Sequence, residues 1–338
     1  MSPHSADPPS RCRISVAMAT FNGAKHVGEQ LASLARQQRL PDELVVCDDG
    51  STDGTVEQLE AFAQSAPFRM RVHRNARNLG VLRNFEKALS LCGGDIVFLC
   101  DQDDVWFPEK IADVVVALEG TSGILLVIND KLIADENLVP TGATMLGSIR
   151  AFGSPDSNFV AGCCVALRRE WLEVALPIPN GAIDHDRWLV GLAHHLKVIS
   201  ILERPLQFYR RHGANVSHDP FSDRRRVGLA TRLSTEVARI LRRSSGGDEE
   251  GWQLFMASNE AELRRIAERR HLLGQLGLAD RVDPALDLLR RRGETLAARE
   301  RMTSMTLPRR AMEVWKLWRS GGYTPFSGWR SALKDVLR

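Results

Sequence analysis

Asp101, Asp103 and Asp104 fall within four positions, directly after the apolar run Ile96 to Leu99. Like charges packed this closely repel one another. They read either as a solvated turn capping the helix expected near Pro108, or as hard oxygen ligands for Mg2+ or Mn2+ held partly by a substrate phosphate. Asp48 and Asp49 precede "GSTDGT", where Gly50 and Gly54 allow tight turning and Ser51, Thr52 or Asp53 can cap the next helix. One aspartate of this pair either belongs to that turn or, as Asp49, accepts the imide N–H of a uracil or thymine ring. In "DHDRW", Asp184 and Asp186 flank His185 at the start of an amphipathic segment. They either complement the helix dipole or supply a base that deprotonates an acceptor hydroxyl. His212 follows Arg210 and Arg211, as a surface residue or facing a diphosphate or its metal.

The elements that must position these groups are legible in the hydrophobic pattern. "RISVAMATFN", "ELVVCDD", "RMRVHR" and "DIVFLC" read as strands, and "HVGEQLASLARQQ", "VEQLEAFAQS" and "GVLRNFEKALSLC" as helices between them. Continuous apolar strands alternating with helices predict a mostly parallel sheet covered on both faces. Polar groups then cluster where strands stop, at Thr20 to Gly23, Asp48 to Ser51 and Asp101 to Asp104. In open α/β sheets the carboxyl ends of the strands line the ligand crevice, so these three segments converge on one site. Farther on, a loop-rich stretch precedes "NFVAGCCVALRREW" and "VISILERPLQFYRRHGANVS", read as strands, with "IDHDRWLVGLAHH" between them as a helix.

Composition bounds the rest. Among 338 residues, 43% are apolar and 26% charged, which is ordinary for a globular chain. No window approaches the roughly 18 consecutive apolar residues of a membrane span, and "MSPHSADPPSRCR" lacks the apolar segment of a secretory signal, predicting a cytoplasmic protein. Six cysteines without C-x-x-C spacing predict reduced, packed thiols. Net charge is +3, yet residues 221 to 338 carry 24 Lys and Arg against 15 Asp and Glu. Neither G-x-G-x-x-G after the first strand nor G-x-x-x-x-G-K-[ST] occurs, which excludes the dinucleotide-binding and P-loop signatures.

Taken together, "VAMATFNG", "EQLASLARQQ", "VVCDDGSTDGT", "NLGVLRNFEKAL", "FLCDQDDVWFPEKI", "HDRWL" and "YRRHGANVS" resemble glycosyltransferase family 2, and within it the bacterial rhamnosyltransferase-like members. The resemblance covers roughly residues 12 to 218 and weakly the closing "GWRSALKDVLR". It implies a GT-A fold over residues 12–219, with a nucleotide-binding half of about 12–130 and an acceptor half of about 131–219, followed by a basic helical region over 220–338. The activity it implies is metal-dependent and inverting. A sugar, L-rhamnose from dTDP-rhamnose by preference or one from a UDP-sugar, would pass to a polysaccharide or lipid-linked oligosaccharide.

The same resemblance places Thr20, Phe21, Asn22, Asp49 and Arg83 around the nucleotide. It puts Asp101, Asp103 and Asp104 on ribose, metal and diphosphate, with Asp103 and Asp104 nearest the Mn2+ or Mg2+. Asp186 becomes the catalytic base, and His212 a phosphate or metal group. The chain departs from the family pattern at Ala19, where many members have proline, and at His185, where many have an acid; the second departure leaves Asp184 as a rival base. A non-catalytic nucleotide-sugar-binding scaffold is the other reading, although every expected catalytic position is occupied.

The arginine-rich tail, with leucines at helical spacing and Trp315, Trp318 and Trp329, reads as a face for an anionic membrane, or as helices packing on the catalytic domain or in a homo-oligomer. The first reading predicts peripheral attachment to the inner face of the cytoplasmic membrane. No nucleic-acid-reading motif accompanies the charge.

Overall fold

The structure is a computed structural model that describes residues 11–213, 248–324, 326 and 328–337. The expected boundary near Asp219–Pro220 lies outside the described residues. Two compact units are formed from interleaved stretches of chain: residues 1–142, 161–176 and 199–212 in the first, and residues 143–160, 177–198 and 213–338 in the second.

The sheet begins with β1 (Ile14–Thr20), helix α1 (Val27–Ala35), β2 (Glu43–Asp48), α2 (Thr55–Ala63), β3 (Arg69–Arg74), α3 (Val81–Leu91) and β4 (Ile96–Cys100). After these come β5 (Val105–Trp106), α4 (Lys110–Glu119), β6 (Leu126–Ala134), β7 (Pro140–Thr144), α5 (Met145–Ala151), β8 (Val165–Arg168), α6 (Arg169–Ala175), α7 (His185–His195) and β9 (Ile199–Arg210). Among the described residues nine strands form one sheet in the order β3-β2-β1-β4-β8-β6-β9-β5, with β7 paired to β6. β1 runs parallel to both β2 and β4, and β2 parallel to β3. Beyond β4 the sheet becomes mixed: β8 is antiparallel to β4 and β6, whereas β6 and β9 are parallel.

β1, β2 and β4 are continuous apolar runs because both their faces are covered. Ile14, Val16, Met18, Leu44, Val46, Ile96 and Phe98 point to one face and bury against Val27, Leu31 and Leu34 of α1 and Ile111, Val114 and Val115 of α4. On the opposite face α3 packs on β1 and β2 through its buried Phe85, Ala88 and Leu89. All six cysteines are free thiols, five of them buried.

Two local expectations change. "NFVAGCCVALRREW" is a strand only over Val165–Arg168; its last residues turn into α6, whose Trp171, Leu172, Val174 and Ala175 are buried at helical spacing. The loop-rich stretch contains α5, started by Thr144, whose hydroxyl accepts from the Gly147 N–H at 3.1 Å.

In the second unit, α7 is joined by α8 (Asp248–Glu268), α9 (Arg270–Gln275), α10 (Ala279–Met302), α11 (Leu307–Arg319) and α12 (Trp329–Leu337). Trp188, Leu189 and Leu192 of α7, Ile266 of α8 and Val282, Leu286 and Leu289 of α10 are all buried. Glu262 ties three of these helices together, bonding His195 at 3.1 Å and Arg292 at 3.2 Å. No helix among the described residues is long and apolar enough to cross a membrane.

Candidate active site

Because β1 to β4 are parallel, their carboxyl ends lie along one edge of the first unit. The loops after them are knitted together by side chains. Asp48, fully buried, accepts from Thr20 Oγ1 at 2.9 Å, Ser51 N at 2.9 Å and Gly50 N at 3.1 Å, and from the Ser51 hydroxyl. It therefore belongs to the turn and shapes the start of α2. Asn22, with φ +47°, donates its N–H to Ser51 Oγ at 2.8 Å and accepts from Thr52 N at 2.9 Å. Gln102 clamps the neighbouring peptide, accepting from Phe21 N at 2.9 Å and donating to Phe21 O at 3.1 Å. This holds the Phe21 ring out in solvent, 47% exposed, on the rim where a planar base could stack. A Cβ on Gly23 would stand 2.2 Å from the Gln102 side chain, so the clamp requires glycine there.

Asp49 is buried, and its carboxylate accepts from Asn75 Nδ2 and Leu79 N at 2.8 Å on one oxygen and from Gly80 N at 2.9 Å on the other. It anchors the loop between β3 and α3. One lone-pair position on Oδ2 is left for a further donor. Asn84 of α3 was not singled out by the sequence reading, yet it braces the same corner: its amide donates to Cys47 O at 2.8 Å and accepts from Asn75 at 2.9 Å. Its neighbour Arg83 is paired with Glu86 on the same helix.

The aspartates after β4 diverge. Asp103 Oδ2 lies 2.9 Å from His212 Nε2, both half-buried. Asp104 is 1% exposed and turned inward, where its carboxylate accepts from Gln207 Nε2 at 2.5 Å. Burial, with Asp103 beside it, pushes its carboxyl up to about 6. Buried ammoniums flank this pocket, Lys110 donating to Cys163 O at 2.8 Å and Lys131 lying 3.8 Å from Cys163 Sγ.

Two ligand sets can therefore be compared. Asp101, Asp104 and Cys163 have ligand atoms within 4.8 Å of one another. The Lys131 ammonium already supplies positive charge beside that thiol, which disfavours a second cation there. Asp103 Oδ2 and His212 Nε2 stand 2.9 Å apart, a hydrogen-bond length that is also close to the ~3.0 Å between cis donors of an octahedral shell of roughly 2.1 Å radius. Arg210 holds this pair in place. Its buried guanidinium donates to Asp103 O at 3.0 Å and Glu136 O at 2.7 Å and pairs with Glu29. Arg210 therefore braces the site as part of the fold.

Asp184 and Asp186 belong to the second unit. Asp184 caps α7, accepting from Arg187 N at 2.7 Å, and Asp186 in the first turn accepts from the same N–H at 2.9 Å. Burial and the neighbouring Asp186 carboxyl push Asp184 up to about 8. His185 between them is buried, which holds its imidazole below the ordinary range.

Parallel strands ending in a turn-rich, acidic rim belong to a GT-A-type α/β fold. The Staphylococcus aureus TarS 1–349 structure in complex with UDP has the same fold, with a TM-score of 0.50 and 20% identity over 84% of this chain and 90% of that one. Residues 15–175 match the model of the family described as Glycosyl transferase family 2. An uncharacterized glycosyltransferase of Nostoc is 29% identical over 214 residues, spanning 60% of this chain and 66% of that protein. The dTDP-rhamnosyl transferase RfbG of Shigella flexneri is 28% identical over 224 residues, spanning 59% and 75%.

Proposed function

We propose that this protein is an inverting glycosyltransferase that moves a hexose, with L-rhamnose from dTDP-rhamnose as the preferred donor, onto a hydroxyl of a polysaccharide or lipid-linked oligosaccharide. The observation that carries this reading is the rim of Thr20 to Gly23, Asp49 and Asp101 to Asp103, fixed at the ends of parallel strands beside the Asp103–His212 pair. A donor specific for thymidine diphosphate is supported by the name of the Shigella relative. A UDP-sugar is the second reading, favoured by the UDP bound in the TarS structure. Uracil and thymine present the same imide edge, and the lone pair left on Asp49 would accept its N–H from either.

In this mechanism Phe21 offers its exposed ring to the base, Asn22 keeps the loop closed against Ser51, and Asp101 lies toward the ribose. Asp103 and His212 would hold Mn2+ or Mg2+, which supplies charge stabilisation to the diphosphate. Asp186 takes the proton of the acceptor hydroxyl. The hydroxyl oxygen then bonds to the anomeric carbon from the face opposite the diphosphate, and the carbon–oxygen bond to the diphosphate breaks with its electron pair. A single displacement of this kind inverts the anomeric centre.

The test is a panel of dTDP-rhamnose, UDP-glucose and UDP-N-acetylglucosamine, scored for binding and hydrolysis with and without Mn2+. One donor should bind, more tightly with Mn2+, and Asp103→Ala should remove the Mn2+ enhancement. If no nucleotide sugar binds, or if Asp101→Ala and Asp103→Ala change nothing, the proposal fails. Binding without turnover on any acceptor would instead favour the scaffold reading.

A further inference from the structure

We propose that α11 and α12 form a docking face for an anionic lipid bilayer, an inference independent of the donor and the chemistry. Each helix is amphipathic twice over. α11 buries Val314 and Arg310 and packs Leu317 inward, yet it also leaves Leu307, Met312, Trp315 and Trp318 exposed. At about 100° per residue, Leu307, Trp318 and Trp315 fall on one stripe beside the packed face, with Met312 at its margin. In α12, Ala332 and Asp335 are buried and Val336 packs inward, while Trp329, Leu333 and Leu337 recur every fourth position on the exposed side. The two helices pack against each other, so seven large apolar side chains in neighbouring elements of the second unit stand in solvent. Isolated exposed leucines need no explanation; a cluster with three tryptophans does.

Charge selects the occupant. Residues 303–338 carry seven Lys and Arg against two Asp and Glu. The two acids are engaged within the unit: Asp335 is buried against Arg299 at 2.6 Å and Tyr323 at 2.9 Å, and Glu313 pairs with Lys316 at 2.7 Å. Arg309 and Arg319 are exposed on the same helix as the tryptophans, Arg319 lying over the Trp315 ring at 4.9 Å. Tryptophan and arginine side by side suit the boundary between headgroups and acyl chains, where the ring is half-immersed and the cation meets lipid phosphate. A second copy of this chain fits worse, because a twofold contact through the patch would bring the same cations face to face.

The experiment uses the full chain with vesicles of phosphatidylcholine, alone or mixed with phosphatidylglycerol, read by co-sedimentation and tryptophan emission. Binding should require phosphatidylglycerol, shift the emission to the blue, and weaken as salt is raised. The variant Trp315→Ser/Trp318→Ser/Trp329→Ser should bind at least ~10-fold more weakly. Arg309→Gln/Lys316→Gln/Arg319→Gln keeps every aromatic and should lower partitioning by roughly a hundredfold. Thermal melts of both variants matching the parent keep the comparison on the surface. The proposal is overturned if both variants sediment like the parent, if phosphatidylcholine alone binds equally well, or if the parent ignores vesicles and is a dimer that the serine variant dissociates.

Discussion

Asp186→Asn is expected to lower kcat for sugar transfer by roughly three orders of magnitude while the affinity for the nucleotide sugar stays within about twofold. The choice between the two carboxyls of α7 follows from their coupling. Asp184 and Asp186 accept from one backbone N–H, and burial together with Asp186 raises Asp184 to about 8. Asp184 is also committed to the Arg187 guanidinium at 3.0 Å and to the cap of α7, so Asp186 is the carboxyl assigned to the acceptor proton.

Asp184→Asn preserves the helix cap and should retain most activity, and its rate profile should lack any step that titrates near 8 in the parent. The sign for stability is the same in origin. With a folded value raised above the unfolded one, the contribution of Asp184 is complete below the ordinary carboxylate range and is lost as pH rises from there to about 8. The parent's Tm should therefore fall over that interval, and that of Asp184→Asn should fall less. Full activity in Asp186→Asn, with loss in Asp184→Asn, would exchange the two roles.

Asp49→Ala should destabilise the protein by about 3–5 kcal/mol and abolish donor binding. The carboxylate is 3% exposed and is the acceptor for Asn75 Nδ2, Leu79 N and Gly80 N. Truncation leaves three donors facing a cavity, and the loop between β3 and α3 loses its anchor. Asp49→Asn separates fold from recognition. Its remaining oxygen can still serve Asn75 and Leu79, so the stability cost should shrink to about 1–2 kcal/mol. The amide NH2 now opposes the imide N–H of a pyrimidine, so donor affinity should still fall by at least ~10-fold. A melt and a titration calorimetry series on the two variants check both statements; unchanged donor affinity in Asp49→Asn would remove Asp49 from base recognition.

How much of this was legible beforehand depended on the kind of residue. β1, β2 and β4 could be read directly, because strands covered on both faces must be apolar without interruption. The turn residues after them were equally plain, since Gly50 and Gly54 both have positive φ, as tight turning there demands. α5 was missed, being seven residues long with no strong periodicity in a stretch of turn-formers. Asn84, Gln102 and Arg210 were not recognised as braces because their partners are distant: Gln102 meets Phe21 across 81 positions and Arg210 meets Glu29 across 181.

By itself the sequence determined which chemistry could occur. The Thr20 to Gly23 turn and the carboxylates Asp48, Asp49 and Asp101 to Asp104 were placed at the ends of strands whose parallel order followed from their hydrophobic pattern. Only the tertiary structure decided how the aspartates divide their work. Asp48 is spent inside the fold, Asp49 on a loop with one lone pair to spare, Asp104 against Gln207, and Asp103 beside His212. The reason is physical. Adjacent carboxylates look alike in sequence, and each acquires its role from the donors and the burial that folding brings to it, which for Asp103 and His212 means a partner 109 positions away.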